Sequence, residues 1–267
     1  MNSIQISIKA NEQEQELLIS QLSDLDAIGF EQIEDRLIAY FPANDFNSYE
    51  VTRILNNYEF VSKELKEQNW NEVWEHNFQP VAVQSFCGIR ADFHKPFTGI
   101  EHEIIITPKM SFGTGHHATT YMMIDQMKDL DFKNKSVFDF GTGTGILSIL
   151  AEKLGAREVV AIDVDEWSIE NTNENIEKNN CKRIVVSLSS KLPSQKFEIV
   201  LANINRNVIL DYIKDLKKIL KPGAHLLLSG LLTSDETIII EACKTNDLEL
   251  LKKTERNNWI SLLLANK

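Results

Sequence analysis

Residues 137–145 read Val137-Phe138-Asp139-Phe140-Gly141-Thr142-Gly143-Thr144-Gly145, and the apolar run Ile146-Leu147-Ser148-Ile149-Leu150 follows directly. A buried strand that ends in three alternate glycines and feeds a helix start leaves bare backbone open to a ligand. Glycine removes the Cβ atoms that block close approach and tolerates positive φ. The first N–H groups of the helix have no partner inside it and point into the same space.

Working outward, strand-like and helix-like runs alternate on the C-terminal side, which predicts a parallel sheet covered by helices on both faces. Strands are expected at 136–140, 158–162, 183–188, 198–202 and 225–229, with helices at 145–154, 166–179, 207–220 and 234–245. Lys221-Pro222-Gly223 reads as the turn into the fifth strand. The runs 248–252 and 259–265 read as an antiparallel hairpin that closes the sheet.

Upstream, residues 1–60 read as a small α+β module in β-α-β-α order. Ile4, Ile6 and Ile8 alternate with polar residues, as in a half-buried strand. A helix is expected over 14–28, with Leu17, Leu18, Leu22 and Leu25 inward and Gly29 as its stop. A strand over 30–41 and a helix over 45–58 complete the module. Residues 61–80 form a connector, where Trp70, Trp74 and Phe78 recur every four residues along a helix that stops before Pro80. Residues 81–267 form the main domain, opening with short strands at 81–83, 88–91 and 104–106.

The net charge of −11 is unevenly placed: residues 1–60 hold Lys9, Arg36 and Arg53 against eleven carboxylates, or −8 of the total. Such a module repels a phosphate backbone and suits a basic protein partner, or serves only to keep a small domain soluble. No apolar run approaches the ~20 residues of a membrane span, and the N-terminus carries no basic start and apolar core of a secretory signal. Cys87, Cys181 and Cys243 stand apart, without the paired spacing of a zinc site or disulfide framework. A cytoplasmic monomer without metal, membrane or direct nucleic-acid contact is the expectation.

The glycine spacing is G-x-G-x-G, with the third glycine one residue earlier than in the dinucleotide fingerprint. Asp139, two residues before Gly141, suits an ammonium group and disfavours a diphosphate. Asp163 lies 22 residues after Gly141, at the end of the next strand, where an acid can accept both hydroxyls of a ribose. Gly141, Gly143, Gly145, Asp139 and Asp163 together fit a ligand with a ribose, an amino group and no phosphate: S-adenosylmethionine. Asn203 ends the fourth strand in Ala202-Asn203-Ile204, facing the same crevice. Its amide oxygen is a neutral acceptor able to orient an attacking amine. Deprotonating a lysine amine of pKa about 10.4 at pH 7 costs roughly 4.6 kcal/mol, and a carboxylate in that place would raise the cost. Phe112-Gly113-Thr114-Gly115-His116-His117-Ala118-Thr119-Thr120 forms a polar, glycine-bearing loop before another helix. Met110, Phe112 and Thr114 are placed to cover the cofactor, while His116 and His117 read as a hydrogen-bonding pair.

These stretches resemble the class I S-adenosylmethionine-dependent methyltransferases. More closely they resemble the PrmA family, which methylates the eleventh protein of the large ribosomal subunit. The resemblance rests on Phe112-Gly113-Thr114-Gly115, His117 with Thr119-Thr120, Asp139 to Gly145, Gly155-Ala156, Asp163 to Asp165, Ala202-Asn203-Ile204 and Ser229-Gly230-Leu231-Leu232, and it spans essentially the whole chain. It implies a Rossmann-like sheet and cofactor contacts at Thr120, Gly141, Asp163 and Asn203. It also implies trimethylation of lysine ε-amines and of the N-terminal α-amine, with the acidic N-terminal module recognising this basic ribosomal protein. The chain departs from a common form of the loop in having His116-His117-Ala118-Thr119-Thr120, and from the frequent cysteine in having Thr142. The competing readings are a methyltransferase for a small-molecule amine or a nucleic-acid base, and a non-catalytic nucleoside sensor.

Overall fold

A computed structural model describes residues 3–23, 25, 27, 29–33, 35–44, 46–65, 78–108 and 113–267. The chain divides into two units, Met1–Val73 and Trp74–Lys267. Among the described residues, no helix is long and apolar enough to cross a membrane.

The first unit carries β1 (Ser3–Lys9), α1 (Glu12–Ser23), β2 (Gly29–Ile33), β3 (Arg36–Pro42), α2 (Ser48–Ile54) and β4 (Phe60–Leu65). The four strands pair antiparallel in the order β2-β3-β1-β4. Ile6 and Ile8 of β1 sit opposite Ala39 and Leu37 of β3 and share a core with Leu18, Leu22, Val51 and Leu55. The expected strand over 30–41 is instead a hairpin, because Asp35 and Arg36 interrupt its apolar pattern with charge. Helix α1 begins two residues early. Asn11 Oδ1 accepts from the Glu14 N–H while Glu14 Oε2 accepts from the Asn11 N–H, a reciprocal capping box. The helix also stops short of Gly29, which opens β2, and Leu17 faces solvent. Residues 61–65, expected to begin the connector, belong to β4, the strand that pairs with β1. The aromatic stripe at Trp70 and Trp74 lies outside the described residues; Phe78 is buried.

The second unit opens with β5 (Val81–Val83), β6 (Cys87–Ala91) and β7 (His102–Ile106), followed by α3 (Ala118–Met127). Then come β8 (Ser136–Phe140), α4 (Ile146–Lys153), β9 (Glu158–Asp163), α5 (Glu166–Lys178) and β10 (Ile184–Leu188). Next are β11 (Phe197–Asn203), α6 (Arg206–Lys218), β12 (Leu220–Leu232), α7 (Glu236–Thr245), β13 (Leu248–Arg256) and β14 (Trp259–Asn266). The main sheet runs β10-β9-β8-β11-β12-β14-β13, parallel through β12 and antiparallel in the last two pairings. Lys221-Pro222-Gly223 is not a turn before the fifth strand. Leu220 pairs with Phe197 and His225 with Ile199, so residues 221–224 bulge out within β12.

Central strands buried on both faces read as unbroken apolar runs because alternate residues feed two cores. Val137, Ile199, Leu201 and Leu227 join the core shared with α3, α4 and the small β5–β6–β7 sheet. Phe138, Val200, Ala202, Leu226 and Leu228 join the core under α6 and α7. The short strands after residue 80 are therefore part of the main domain's packing. The sequence proceeds from β8 outward to β9 and β10, then returns to β11 on the other side of β8. That reversal opens a crevice beyond the C-terminal ends of β8 and β11.

Candidate active site

The crevice floor is the glycine turn after β8. The Gly141 and Thr142 N–H groups donate to the Ile162 carbonyl at 2.9 and 3.1 Å, which folds the turn over the end of β9. Gly141 has φ of +76°, and a Cβ there would lie 2.4 Å from Ile204 Cγ2, so a side chain at this position would collide with the Ile204 side chain. From behind, α5 grips the loop carbonyls: Thr172 Oγ1 donates to Gly143 O at 2.6 Å and Asn175 Nδ2 to Thr144 O at 2.8 Å. Asn175 Oδ1 also accepts from the Thr107 N–H at 2.8 Å, tying the strand before the Gly113–Gly115 segment to the same helix.

Two carboxylates flank the turn and have different surroundings. Asp163 ends β9 on the cavity wall, where its Oδ2 accepts from the Gly143 N–H at 2.9 Å and its Oδ1 from the Val164 and Asp165 N–H groups. Asp139 is fully buried under the turn. Its Oδ2 accepts from Thr142 Oγ1 at 2.8 Å and Ser148 Oγ at 2.6 Å, while Oδ1 has no partner among the described residues. Burial pushes this carboxyl up to about 6, opposed by the two hydroxyl bonds and assisted by the charge of Asp163.

Asn203 ends β11 opposite the turn. Its Nδ2 donates to Thr120 Oγ1 of α3 at 3.3 Å, and its Oδ1 is buried without a partner among the described residues. The exit from β11 is held by the Ile204 N–H, which donates to Ser229 O at 3.2 Å. Gly230 is pressed against that exit: with φ of +84°, its Cβ would fall 2.2 Å from the Ile204 carbonyl oxygen. His117 caps α3 by accepting from the Thr119 N–H, and its ring stands edge-on to Trp259 with centroids 4.6 Å apart. Burial lowers the His117 pKa. Gly141, Gly143, Asp163, Asn203, His117 and Trp259 thus border one cavity of about 560 Å³, floored by Phe140 and Ile204 and closed by Val208 and Tyr212 of α6.

Known proteins resemble the chain over its length. A family model described as "Ribosomal protein L11 methyltransferase (PrmA)" matches residues 2–267. A ribosomal protein L11 methyltransferase of Porphyromonas gingivalis is 40% identical over 260 residues, covering 92% of this chain and 89% of that protein. One of Chlorobaculum parvum is 34% identical over 282 residues, covering 100% and 97%. The crystal structure of ribosomal protein L11 methylase from Lactobacillus delbrueckii subsp. bulgaricus superposes with a TM-score of 0.67 at 28% identity, covering 71% of this chain and all of that one. The chain belongs to the PrmA family.

As a PrmA-family member it is an S-adenosylmethionine-dependent protein methyltransferase. The cavity suits that cofactor on its own terms. Asp163 presents a carboxylate to the wall, the floor at Gly141 and Gly143 is bare backbone, and Val164 and Ile204 add apolar surface for a base.

Of the residues singled out from the sequence, Gly141, Gly143, Asp163 and Asn203 border the cavity. Thr120 lies one hydrogen bond behind it, through Asn203. Gly145 caps α4 in the left-handed conformation and packs against Thr172. Thr114 faces His116, its Oγ1 3.3 Å from Nδ1, and Met110 and Phe112 lie outside the described residues. Asp139 is not among the residues that border the cavity: its carboxylate is fully buried, with Oδ2 fastening the turn and Oδ1 without a partner among the described residues. Trp259, Tyr212 and the grips Thr172 and Asn175 were not singled out from the sequence. A signal for the last two was present, since Asn171, Thr172 and Asn175 occupy an inward stripe of α5 where apolar residues were due.

Proposed function

We propose that this chain methylates amines of ribosomal protein L11, the lysine ε-amines and the N-terminal α-amine, with Asn203 orienting the attacking nitrogen. The observation that carries the reading is the Asn203 amide oxygen, buried and unpartnered among the described residues, on a residue that borders the cavity. A buried acceptor left without a donor costs about 1–3 kcal/mol, and an amine N–H would recover it.

Asp163 would hold the cofactor through its ribose, Gly141 and Gly143 through close backbone approach, and Val164 beside its base. Bound there, S-adenosylmethionine supplies an electrophilic methyl group on a sulfonium. Asn203 accepts one N–H of the acceptor amine and leaves the nitrogen lone pair free to point inward. Because the amide is neutral, it does not stabilise the unreactive ammonium as a carboxylate would. Trp259 and His117 wall the acceptor side and limit access of water.

The N-terminal unit is the recognition module in this reading. Its charge of −8 over residues 1–60 supports attraction of a basic protein and opposes direct nucleic-acid contact. The enzyme then works in the cytoplasm as a monomer, away from membranes. Incubation with methyl-labelled S-adenosylmethionine and intact ribosomal proteins tests this reading. Label in L11, mapped by mass spectrometry to its amines, is the expected result; label confined to RNA or small molecules would overturn it.

A further inference from the structure

The two adjacent histidines of the loop make different contacts. His117 borders the cavity, whereas His116 sets its ring edge-on to Phe78, with centroids 4.9 Å apart and planes at 83°. His116 Nδ1 lies 3.3 Å from Thr114 Oγ1. Phe78 is only 3% exposed and lies beside His94 as well, with centroids 5.9 Å apart. It is a fixed point near the N-terminal end of the second unit.

We propose that His116 is a positioning residue that anchors the 113–117 turn to Phe78 and thereby sets the acceptor side of the methyl-transfer site. The turn packs its backbone at Gly115 against Ile89, where a Cβ would fall 2.5 Å from Ile89 Cδ1. Gly113 and Gly115 both have positive φ, at +104° and +92°, and contribute no side chains. Thr144 Oγ1 donates to Gly113 O at 2.8 Å and ties the turn to the cofactor loop. Between these fixings, the residue after His116 caps α3 and leans on Trp259. The first turn of α3 carries Thr120, which holds the Asn203 amide. A displaced His116 would therefore move His117, Trp259 and Asn203 together while leaving Asp163 and the glycine floor in place.

The test uses the full-length protein with His116→Ala, His116→Phe, Phe78→Leu and the double variant His116→Ala/Phe78→Leu. Three quantities are measured: kcat on intact L11, S-adenosylmethionine affinity by calorimetry, and the Trp259 indole resonance in the free protein, assigned with Trp259→Phe. For His116→Ala we expect kcat to fall about tenfold, as small misplacements of positioning groups do. Cofactor affinity should hold within about twofold, and the indole resonance should move. His116→Phe, which keeps a ring against Phe78, should recover most of the rate. Phe78→Leu should lower kcat in the same direction, and the double variant should lose less than the product of the two single effects. Wild-type kcat in His116→Ala, a rate loss matched by lost cofactor affinity, multiplicative single effects or an unmoved indole resonance would overturn the proposal. The activity measurements rest on the methyltransferase reading above. The indole resonance needs neither cofactor nor substrate, so it decides the coupling even if L11 proves not to be the acceptor.

Discussion

Thr120 Oγ1 accepts a 3.3 Å hydrogen bond from Asn203 Nδ2, and the Asn203 amide oxygen has no partner among the described residues. With the donor end engaged, the oxygen is the part left for a substrate. Removing the amide in Asn203→Ala should lower methyl transfer by about 10²–10³-fold, the scale of losing one oriented polar group in a closed site. Cofactor affinity should change by no more than about tenfold. Thr120→Val should release the amide and reduce kcat less severely, and Thr120→Ser should restore it. Single-turnover rates beside calorimetric affinities separate these outcomes, and an Asn203→Ala enzyme with full activity would remove the amide from the mechanism.

Asp163→Ala predicts the opposite split. The carboxylate holds the Gly143 N–H and stands on the cavity wall, so its loss weakens both the loop and the ribose seat. Each charged hydrogen bond lost is worth about 1.5–3 kcal/mol, which makes a fall in S-adenosylmethionine affinity of at least about tenfold the expected result. Unchanged affinity by calorimetry would reject the ribose assignment.

Asp139 makes stability depend on pH in a defined direction. Its ordinary value of 3.8 is raised to about 6 in the folded chain, so the native state holds an extra proton between those values. Stability therefore falls as pH rises through that window, by about 2 kcal/mol between pH 4 and pH 8 from this residue alone. Asp139→Asn cannot ionise. Compared with wild type, its relative stability in urea should improve by that order from pH 4 to pH 8, measured without cofactor. A difference independent of pH would show that the buried carboxylate is not carrying this cost.

Gly230→Ala should be poorly tolerated despite adding a single methyl group. The new Cβ would sit 2.2 Å from the Ile204 carbonyl oxygen, and backbone atoms cannot rotate aside as a side chain can. We expect a loss of about 1–3 kcal/mol in stability and a large loss of activity, since Ile204 follows Asn203. Thermal melting and turnover together check this.

Deleting Met1–Val73 should leave S-adenosylmethionine affinity intact and abolish methylation of L11. The deletion follows the boundary between the two units, so no strand of the N-terminal sheet is left behind. Normal L11 methylation by the truncated enzyme would sink the recognition role given to the acidic unit.

What the sequence determined by itself is the local grammar. The run into Gly141-Thr142-Gly143-Thr144-Gly145 could only be a buried strand, a backbone-lined turn and a helix start. The alternation that follows required a parallel sheet, and strand ends placed Asp163 and Asn203 on the crevice. Charge in the middle of 30–41 and a capping box at Asn11 were equally written there, but stood behind a stronger apolar pattern. Tertiary structure decided the rest, because periodicity says that a residue points inward without saying what it meets. The sequence context of Asp139 does not show that Thr142 and Ser148 both donate to its buried carboxylate and clasp the turn. Trp259, more than fifty residues from Asn203, reaches the cavity because β14 pairs antiparallel with β12 and returns the chain to its wall. The glycine turn supplies a floor that local sequence can encode. The walls come from strand order, which no single stretch contains.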